Sequence, residues 1–354
     1  MGRAIAILLL LLLAACAPAT PSAAPTVTAV AGGSTLRIFN WDTYIDPALI
    51  AEFETATGAR VVYSTYASSE ELLGAVQADP TAYDLVMPSD YMVEVMRRER
   101  LLAPLDKANI PNLVNLDPLF ASPAYDPANR YCVPYLWGTV GLGYSSGAVA
   151  GPIIGWADIF ERRSGSVAIL DDSRVMLGAA LLVLGHSPNT TDPRTIAAAR
   201  DYLLERAGNF DAVAPDTGQD LLAAGTVDLA VEWSGDIFQV SAEHGDLQYV
   251  IPAEGSIIWT DNMCILAGSP NDALAEQFIN FILEPRVGAA LANYTRFSTP
   301  NRAALPWVRP EDLANPALYP DQRTRERLFF LVDVGPEAAD LYTRSWAEVL
   351  AAVP

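Results

Sequence analysis

Leu36-Arg37-Ile38-Phe39-Asn40-Trp41, Arg60-Val61-Val62-Tyr63-Ser64 and Asp84-Leu85-Val86-Met87-Pro88 are three apolar runs of strand length, and what separates them decides the fold. After the first run, Asp46-Pro47 opens a helix, with Asp46 as N-cap and Pro47 at the first helical position, and Gly58 closes it. Ser69 can cap a second helix that runs to about Ala78. Tyr91 to Arg100 reads as a third, with basic residues at the C-terminal end where the macrodipole favours them. Strand, helix, strand, helix, strand at this spacing requires parallel strands joined by crossover helices. Ligands of such sheets bind outside the carboxyl ends of the strands. Here those ends carry Asn40-Trp41-Asp42-Thr43-Tyr44, Ser64-Thr65-Tyr66 and Pro88-Ser89-Asp90-Tyr91.

A second α/β pattern follows. Val167 to Leu170 is a strand ending in Asp171-Asp172, and Val175 to Leu184 and Thr195 to Arg206 are helices. Val227 to Val231 is a strand ending in Glu232-Trp233, Ile257 to Ile265 is a further strand, and Ala273 to Leu283 is an amphipathic helix. Acidic and aromatic residues again gather where strands end. About 320 residues follow position 34, too many for one ordinary core, so two lobes are expected.

The N-terminus predicts export. Arg3 is followed by an unbroken apolar run from Ala4 to Leu13 and then by Leu13-Ala14-Ala15-Cys16. Such a run is too short to span a hydrocarbon core of about 30 Å, so residues 1–15 read as a signal peptide. The small residues before Cys16 fit a lipobox, which would make Cys16 the lipidated mature N-terminus; ordinary signal cleavage is the alternative. Residues 16–34, rich in Ala, Pro, Ser and Thr, read as a flexible tether. Removing the signal moves the formal charge from −20 to −21. A surface this acidic repels nucleic acid and attracts cations, although solubility alone would also explain it. Cys132 and Cys264 could pair in an oxidising envelope or stay as buried thiols.

The predicted strand ends bring forward Trp41, Asp42, Tyr44, Ser89, Asp90, Tyr91, Asp172, Glu232, Trp233, Asp236, Trp259 and Asp261. Trp259 and Asp261 lie two apart on one strand, so ring and carboxylate share a face. Aromatic faces attract a cation and pack methylenes, by about 0.5–2 kcal/mol per contact. Carboxylates and Ser89 would take N–H donors through charge-assisted bonds. This mix suits an alkylammonium ligand.

Phe39-Asn40-Trp41-Asp42-Thr43-Tyr44-Ile45, Val62-Tyr63-Ser64-Thr65-Tyr66, Tyr83-Asp84-Leu85-Val86-Met87-Pro88-Ser89 and Val133-Pro134-Tyr135-Leu136-Trp137-Gly138 make the likeness specific. With Asn189-Thr190-Thr191-Asp192-Pro193, Trp259-Thr260-Asp261, Ser298-Thr299-Pro300-Asn301 and Asp333-Val334-Gly335, they run in order from about residue 36 to the C-terminus. The chain resembles the spermidine/putrescine-binding proteins of polyamine ABC importers. The resemblance implies an α/β, two-lobed periplasmic-binding-protein fold of type II, each lobe a mainly parallel sheet flanked by helices, with hinge strands between. Lobe 1 would comprise residues 35–136 and 260–303, and lobe 2 residues 137–259 and 304–354. The implied ligand cage is Trp41, Asp42, Tyr44, Ser89, Tyr91, Asp172, Trp233, Trp259 and Asp261. Asp236 matches putrescine-preferring members, while Asp172 is similar to the spermidine-preferring pattern. Three positions depart from the family: Val175 in place of a Glu, Phe297 in place of a Tyr at the cage, and Leu331 in place of a polar amide. Implied partners are a small cationic ligand, a permease with separate ATPase subunits, and the membrane through lipid on Cys16. A monomer without cofactor or metal is expected. Another amine remains the alternative ligand.

Gly143-Tyr144-Ser145-Ser146-Gly147 matches the G-x-S-x-G pattern of serine hydrolases, and His186 and His244 are present. The nucleophile elbow needs a helix directly after the serine, whereas Gly151, Pro152 and Gly155 follow here. Lys107, the one lysine, has no glycine-rich loop beside it, so ATP hydrolysis belongs to another polypeptide. The sequence has no zinc-ligand spacing and no Asp-x-Asp-x-Asp-Gly calcium loop.

Overall fold

The computed structural model describes residues 34–161 and 165–354; the signal peptide, Cys16 and most of the tether lie outside them. The first sheet opens with β1 (Thr35–Trp41), α1 (Pro47–Thr57), β2 (Arg60–Tyr66), α2 (Ser69–Ala78), β3 (Leu85–Val86) and α3 (Asp90–Arg98). Asp46 caps α1 by accepting the N–H of Ala48, Pro47 starts it, and Gly58 follows as C-cap. The N-cap of α2 is Ser68 rather than Ser69, its side chain accepting from the N–H of Glu71. Ser69 is buried instead, its hydroxyl oxygen 3.4 Å from that of Ser89. β1 pairs in parallel with β2 and with β3, as the crossover helices require. β3 keeps only two residues of the predicted strand.

β4 (Cys132–Ser145) leaves this sheet for the second one. There α4 (Ala157–Phe160), β5 (Val167–Leu170), α5 (Ser173–Val183), α6 (Pro193–Leu204), β6 (Ala212–Ala214), α7 (Gly218–Ala223), β7 (Leu229–Trp233), α8 (Ser234–Ser241) and β8 (Leu247–Val250) follow in turn. β9 (Ser256–Ile265) then returns to the first sheet, where α9 (Asp272–Ile282) and α10 (Pro285–Thr295) pack. β10 (Leu328–Phe330) and a terminal helix, Pro336–Leu350, complete the chain. α5 and α6 begin two residues before the predicted Val175 and Thr195. Asp172 and Asp192 cap them, and their first turns precede the apolar periodicity.

The strands hydrogen-bond in the order β2-β1-β3-β9-β4-β7-β5-β6, with β10 beside β9 and β8 beside β4. β5 is parallel to both β6 and β7. The two long strands are antiparallel to their neighbours in this path and carry the chain between the halves. β4 pairs with β9 from Cys132 to Thr139, then with β7 and β8 from Val140 onward. β9 meets β3 at Cys264 and Ile265, and β10 at Ser256 to Ile258. Two mainly parallel sheets thus share a pair of antiparallel hinge strands. The largest buried apolar cluster runs along that seam, from Leu36, Ile38 and Phe53 through Val133, Leu136 and Val140 to Ile169, Leu177 and Trp346.

Cys132 and Cys264 stand directly opposite each other in the β4–β9 ladder, 4.4 Å apart at Cα, and form a disulfide. Opposed residues at that spacing are a non-hydrogen-bonded antiparallel pair, whose side chains are closest. Both sulfurs are buried in a second apolar cluster under α2 and α3.

Candidate functional site

The carboxyl ends of β1, β3, β5, β6 and β7 converge with the middle of β9. β9 places Trp259 and Asp261, both buried, on one face. Asp261 lies opposite Leu136 of β4 and bridges to Ser89, while Trp259 lies opposite Gly138. A Cβ on Gly138 would come within 2.6 Å of the Trp259 indole, and one on Gly235 within 2.3 Å of the Phe297 ring. Only glycine lets the backbone pass under these rings.

The rings form one continuous row. Trp233 meets Trp259 edge-on at 5.8 Å, Trp259 meets Phe297 at 5.2 Å, Phe297 meets Tyr44 at 5.3 Å, and Tyr44 meets Tyr135 at 5.5 Å. Edge-to-face pairs add about 0.5–1.5 kcal/mol each beyond burial, which sets the ring orientations before any ligand enters. Trp41 stands apart from this row. It packs on Tyr66 at 4.6 Å and donates its indole N–H to the Met87 carbonyl at 3.1 Å; the Tyr66 hydroxyl donates to the same oxygen.

Acids gather around the rings. Burial pushes Asp261 well above the usual carboxylate range, with the Tyr44 hydroxyl and the Trp41 indole opposing the shift. Asp90, fully enclosed in the first turn of α3, accepts the N–H of Tyr91 at 2.7 Å, and burial pushes it up to about 7. Asp172 is raised by burial while one of its oxygens accepts the N–H groups of Arg174 and Val175. Burial and then Asp172 also raise the Tyr91 phenol. Among the described residues Arg174 is the cation that acts on both Asp90 and Asp172, but its guanidinium donates to the Val332 carbonyl and the Asn189 amide oxygen and lies over Tyr342. Asp42 is exposed in the turn after β1, where Thr43 adopts a left-handed conformation (φ 49°).

Beside Trp233 lies a denser group. Asp216 follows β6, Glu232 sits on β7 and Asp236 in the first turn of α8; one carboxylate oxygen of each lies within 4.8 Å of the others. Two unit charges at that distance repel by about 3–4 kcal/mol at an effective dielectric constant of about 20, so three cannot all ionise cheaply. Burial first, then Asp236 and Asp216, pushes Glu232 far up; burial and then Asp216 do the same to Asp236. Asp216 is exposed as a residue, yet its carboxyl group is crowded by protein. Burial pushes it up to about 7, against a hydrogen bond from Trp233.

Buried atoms in this region without a hydrogen-bond partner within the protein include the indole Nε1 of Trp259, the Tyr44 hydroxyl, Oδ2 of Asp90, Oγ1 of Thr260 and Oε2 of Glu232. A buried donor or acceptor left so costs about 1–3 kcal/mol until something fills it. Trp233, Trp259, Phe297 and Tyr44 share the ring row, while Ser89 touches the β9 side through Asp261. Asp172 caps a helix as well as facing Tyr91. Val175 and Leu331 are buried apolar residues.

Nothing in the sequence marks Asp216, because Ala212-Val213-Ala214 is too short to show strand periodicity; the strand-end rule would otherwise reach it. Glu232 was visible as a strand-end acid, though nothing local joined it to Asp216 and Asp236. Ser145, at the end of β4, donates to the Asp246 carboxylate at 2.7 Å, so its partner is an acid and not an imidazole. A turn rather than a helix follows it, unlike a nucleophile elbow.

The family described as bacterial extracellular solute-binding protein matches residues 48–320. A spermidine/putrescine-binding periplasmic protein of Salmonella typhimurium is 37% identical over 308 residues, covering 86% of this chain and 88% of that protein. The chain belongs to the bacterial extracellular solute-binding proteins. Solved structures agree with this solute-binding fold. The spermidine/putrescine ABC transporter substrate-binding protein PotD of Streptococcus pneumoniae superposes with a TM-score of 0.83 at 32% identity, over 91% of this chain and 100% of that one. The Tp0655 (TpPotD) lipoprotein of Treponema pallidum gives 0.81 at 31%, over 89% and 99%. Solute-binding proteins of this family serve transporters outside the cytoplasm, and no helix among the described residues is long and apolar enough to cross a membrane.

Proposed function

We propose that this solute-binding protein captures a polyamine, putrescine or spermidine, between its lobes and delivers it to an ABC permease driven by separate ATPase subunits. The observation that carries the reading is the ring row from Trp233 to Tyr44, with Asp236 near its Trp233 end and Asp261 against Tyr44. A diamine offers a charge at each end and methylenes between, which is the complement of that order. Micromolar binding needs about 8 kcal/mol. Two cation–ring contacts and two or three ion pairs reach it only in a dry cleft, so lobe closure about β4 and β9 belongs to the mechanism. The lobes divide as 35–136 with 260–303, and 137–259 with 304–354. Trp41, Asp42, Tyr44, Ser89, Tyr91, Asp172, Trp233, Asp236, Trp259, Asp261 and Phe297 line the ligand. The curated relative named for both polyamines supports the class.

Val175, Phe297 and Leu331 favour a second reading, the same role with another amine, because each removes a polar partner from the cage. Titration calorimetry with putrescine, spermidine, cadaverine and spermine decides the class, and heat from none of them rejects it. Mass spectrometry of ligand carried through native purification identifies the amine.

The protein acts as a monomer tethered through lipid on Cys16, a reading the Treponema lipoprotein's likeness supports. Metabolic labelling with radioactive palmitate should mark the wild type and be lost in Cys16→Ala; equal labelling of both would remove the anchor.

A further inference from the structure

The Trp233 end of the cleft holds more acid than one ammonium–carboxylate pair uses. Asp216, Glu232 and Asp236 arrive from three successive elements, the loop after β6, the strand β7 and the helix α8, with one oxygen of each inside 4.8 Å. Glu232 is fully buried; its Oε1 accepts the Trp233 N–H at 3.3 Å, and its Oε2 lies against Gly218 at the start of α7 without a well-formed hydrogen bond, the Gly218 and Trp233 backbone groups only partly opposing the rise that burial causes. The groups facing the trio from other elements are Asp220 on α7, Tyr249 on β8, Asp261 on β9 and Tyr44 after β1, all acids or phenols. Trp233 adds a neutral N–H to Asp216. Among the described residues no arginine, lysine or histidine forms an ion pair with any of the three.

We propose that Asp216 and Glu232 join Asp236 in a proton-exchanging subsite for one unsubstituted primary ammonium: the empty trio shares protons, and one leaves for solvent as the –NH3+ group enters. The inference rests on the amine-binding reading above and adds two residues and a selection rule to it. A primary ammonium carries three N–H donors for three carboxyl groups. Each N-methyl group removes a donor and leaves a buried carboxylate unpaired, so methylated ends are rejected by desolvation rather than by size. No bond is made or broken except O–H: a neutral carboxyl becomes a carboxylate and the proton goes to buffer. Asp216, held up to about 7, exchanges its proton near neutrality, so capture strengthens as pH rises through that range.

The test is calorimetry on the full mature protein with putrescine, in two buffers of different ionisation enthalpy. At about pH 6.5 the wild type should release about half a proton or more per ligand, and Glu232→Gln and Asp216→Asn should release less. The wild type should prefer putrescine over its bis-trimethylammonium analogue by at least about tenfold, and both variants should narrow that ratio. Asp216 is exposed as a residue, so its variant reports even where a change at buried Glu232 disturbs folding. Buffer-independent heats in the wild type, or a ratio that both variants leave unchanged, overturn the subsite while polyamine binding stands. Calcium chloride alone raising the melting temperature and displacing putrescine overturns it in favour of a metal site. No heat from any amine in the wild type removes the functional reading itself, and the subsite with it.

Discussion

Trp259 and Asp261 lie two residues apart on β9, and strand geometry alone puts indole and carboxylate on one face. Asp261→Ala is expected to weaken polyamine binding at least about tenfold, or about 1.4 kcal/mol, by calorimetry. Trp259→Ala should do likewise but also destabilise the protein, because removing a buried tryptophan costs about 3–5 kcal/mol. Unchanged affinity in both would place the ligand elsewhere. At this scale the sequence was informative where a residue's role follows from its neighbours along the chain. It was silent where the partner is distant. Phe297 touches Tyr44 and Trp259, more than 250 and almost 40 positions away in the chain, and only the fold sets them within about 5 Å.

The paired strands β4 and β9 carry the chain between the sheets and are locked at one end by Cys132–Cys264, which closes a 132-residue separation. Cys132→Ala with Cys264→Ala should lower unfolding stability by about 2–5 kcal/mol in denaturant titration. Both cysteines lie on the first-sheet side of the crossing, so the bond does not tie the lobes to each other, and polyamine affinity should change little. A variant as stable as the wild type would show that strand pairing alone holds the hinge. Element types were legible from caps and periodicity: Asp46-Pro47 and Gly58 delimit α1 as expected. Ends were less so. Ser68 and Ser69 are both competent caps; Ser68 takes the role, and Ser69 is buried with its hydroxyl 3.4 Å from that of Ser89. Pairing of the cysteines was open in the sequence, since register across β4 and β9 is a long-range property.

The molecule as a whole is strongly acidic, with a formal charge of −20, and it buries acids where a cation is to sit. Association with a polyamine should therefore be steered electrostatically, and stopped-flow on-rates should fall as salt rises from about 0.05 to about 0.5 M. A flat salt dependence would leave the charge with a solubility role alone. The buried acids also set a pH signature. A carboxyl whose folded pKa is raised stabilises the fold below its unfolded value, and that contribution is lost as pH rises through the folded value. For Asp90 and Asp216, both held up to about 7, the loss begins from about pH 4 and is complete above about pH 8. Scanning calorimetry of ligand-free protein should show the melting temperature drifting down over that window, and putrescine should flatten the slope by supplying the missing cation. By itself the sequence determined the α/β winding order, the parallel strand sets, the acidic and aromatic residue types at strand ends, and the export pattern, because each is written in spacing over a few to some thirty residues. Only the tertiary structure decided the ring row, the Asp216–Glu232–Asp236 cluster and the disulfide, because these depend on which strands end side by side, and that is settled by sheet order and register across the whole chain.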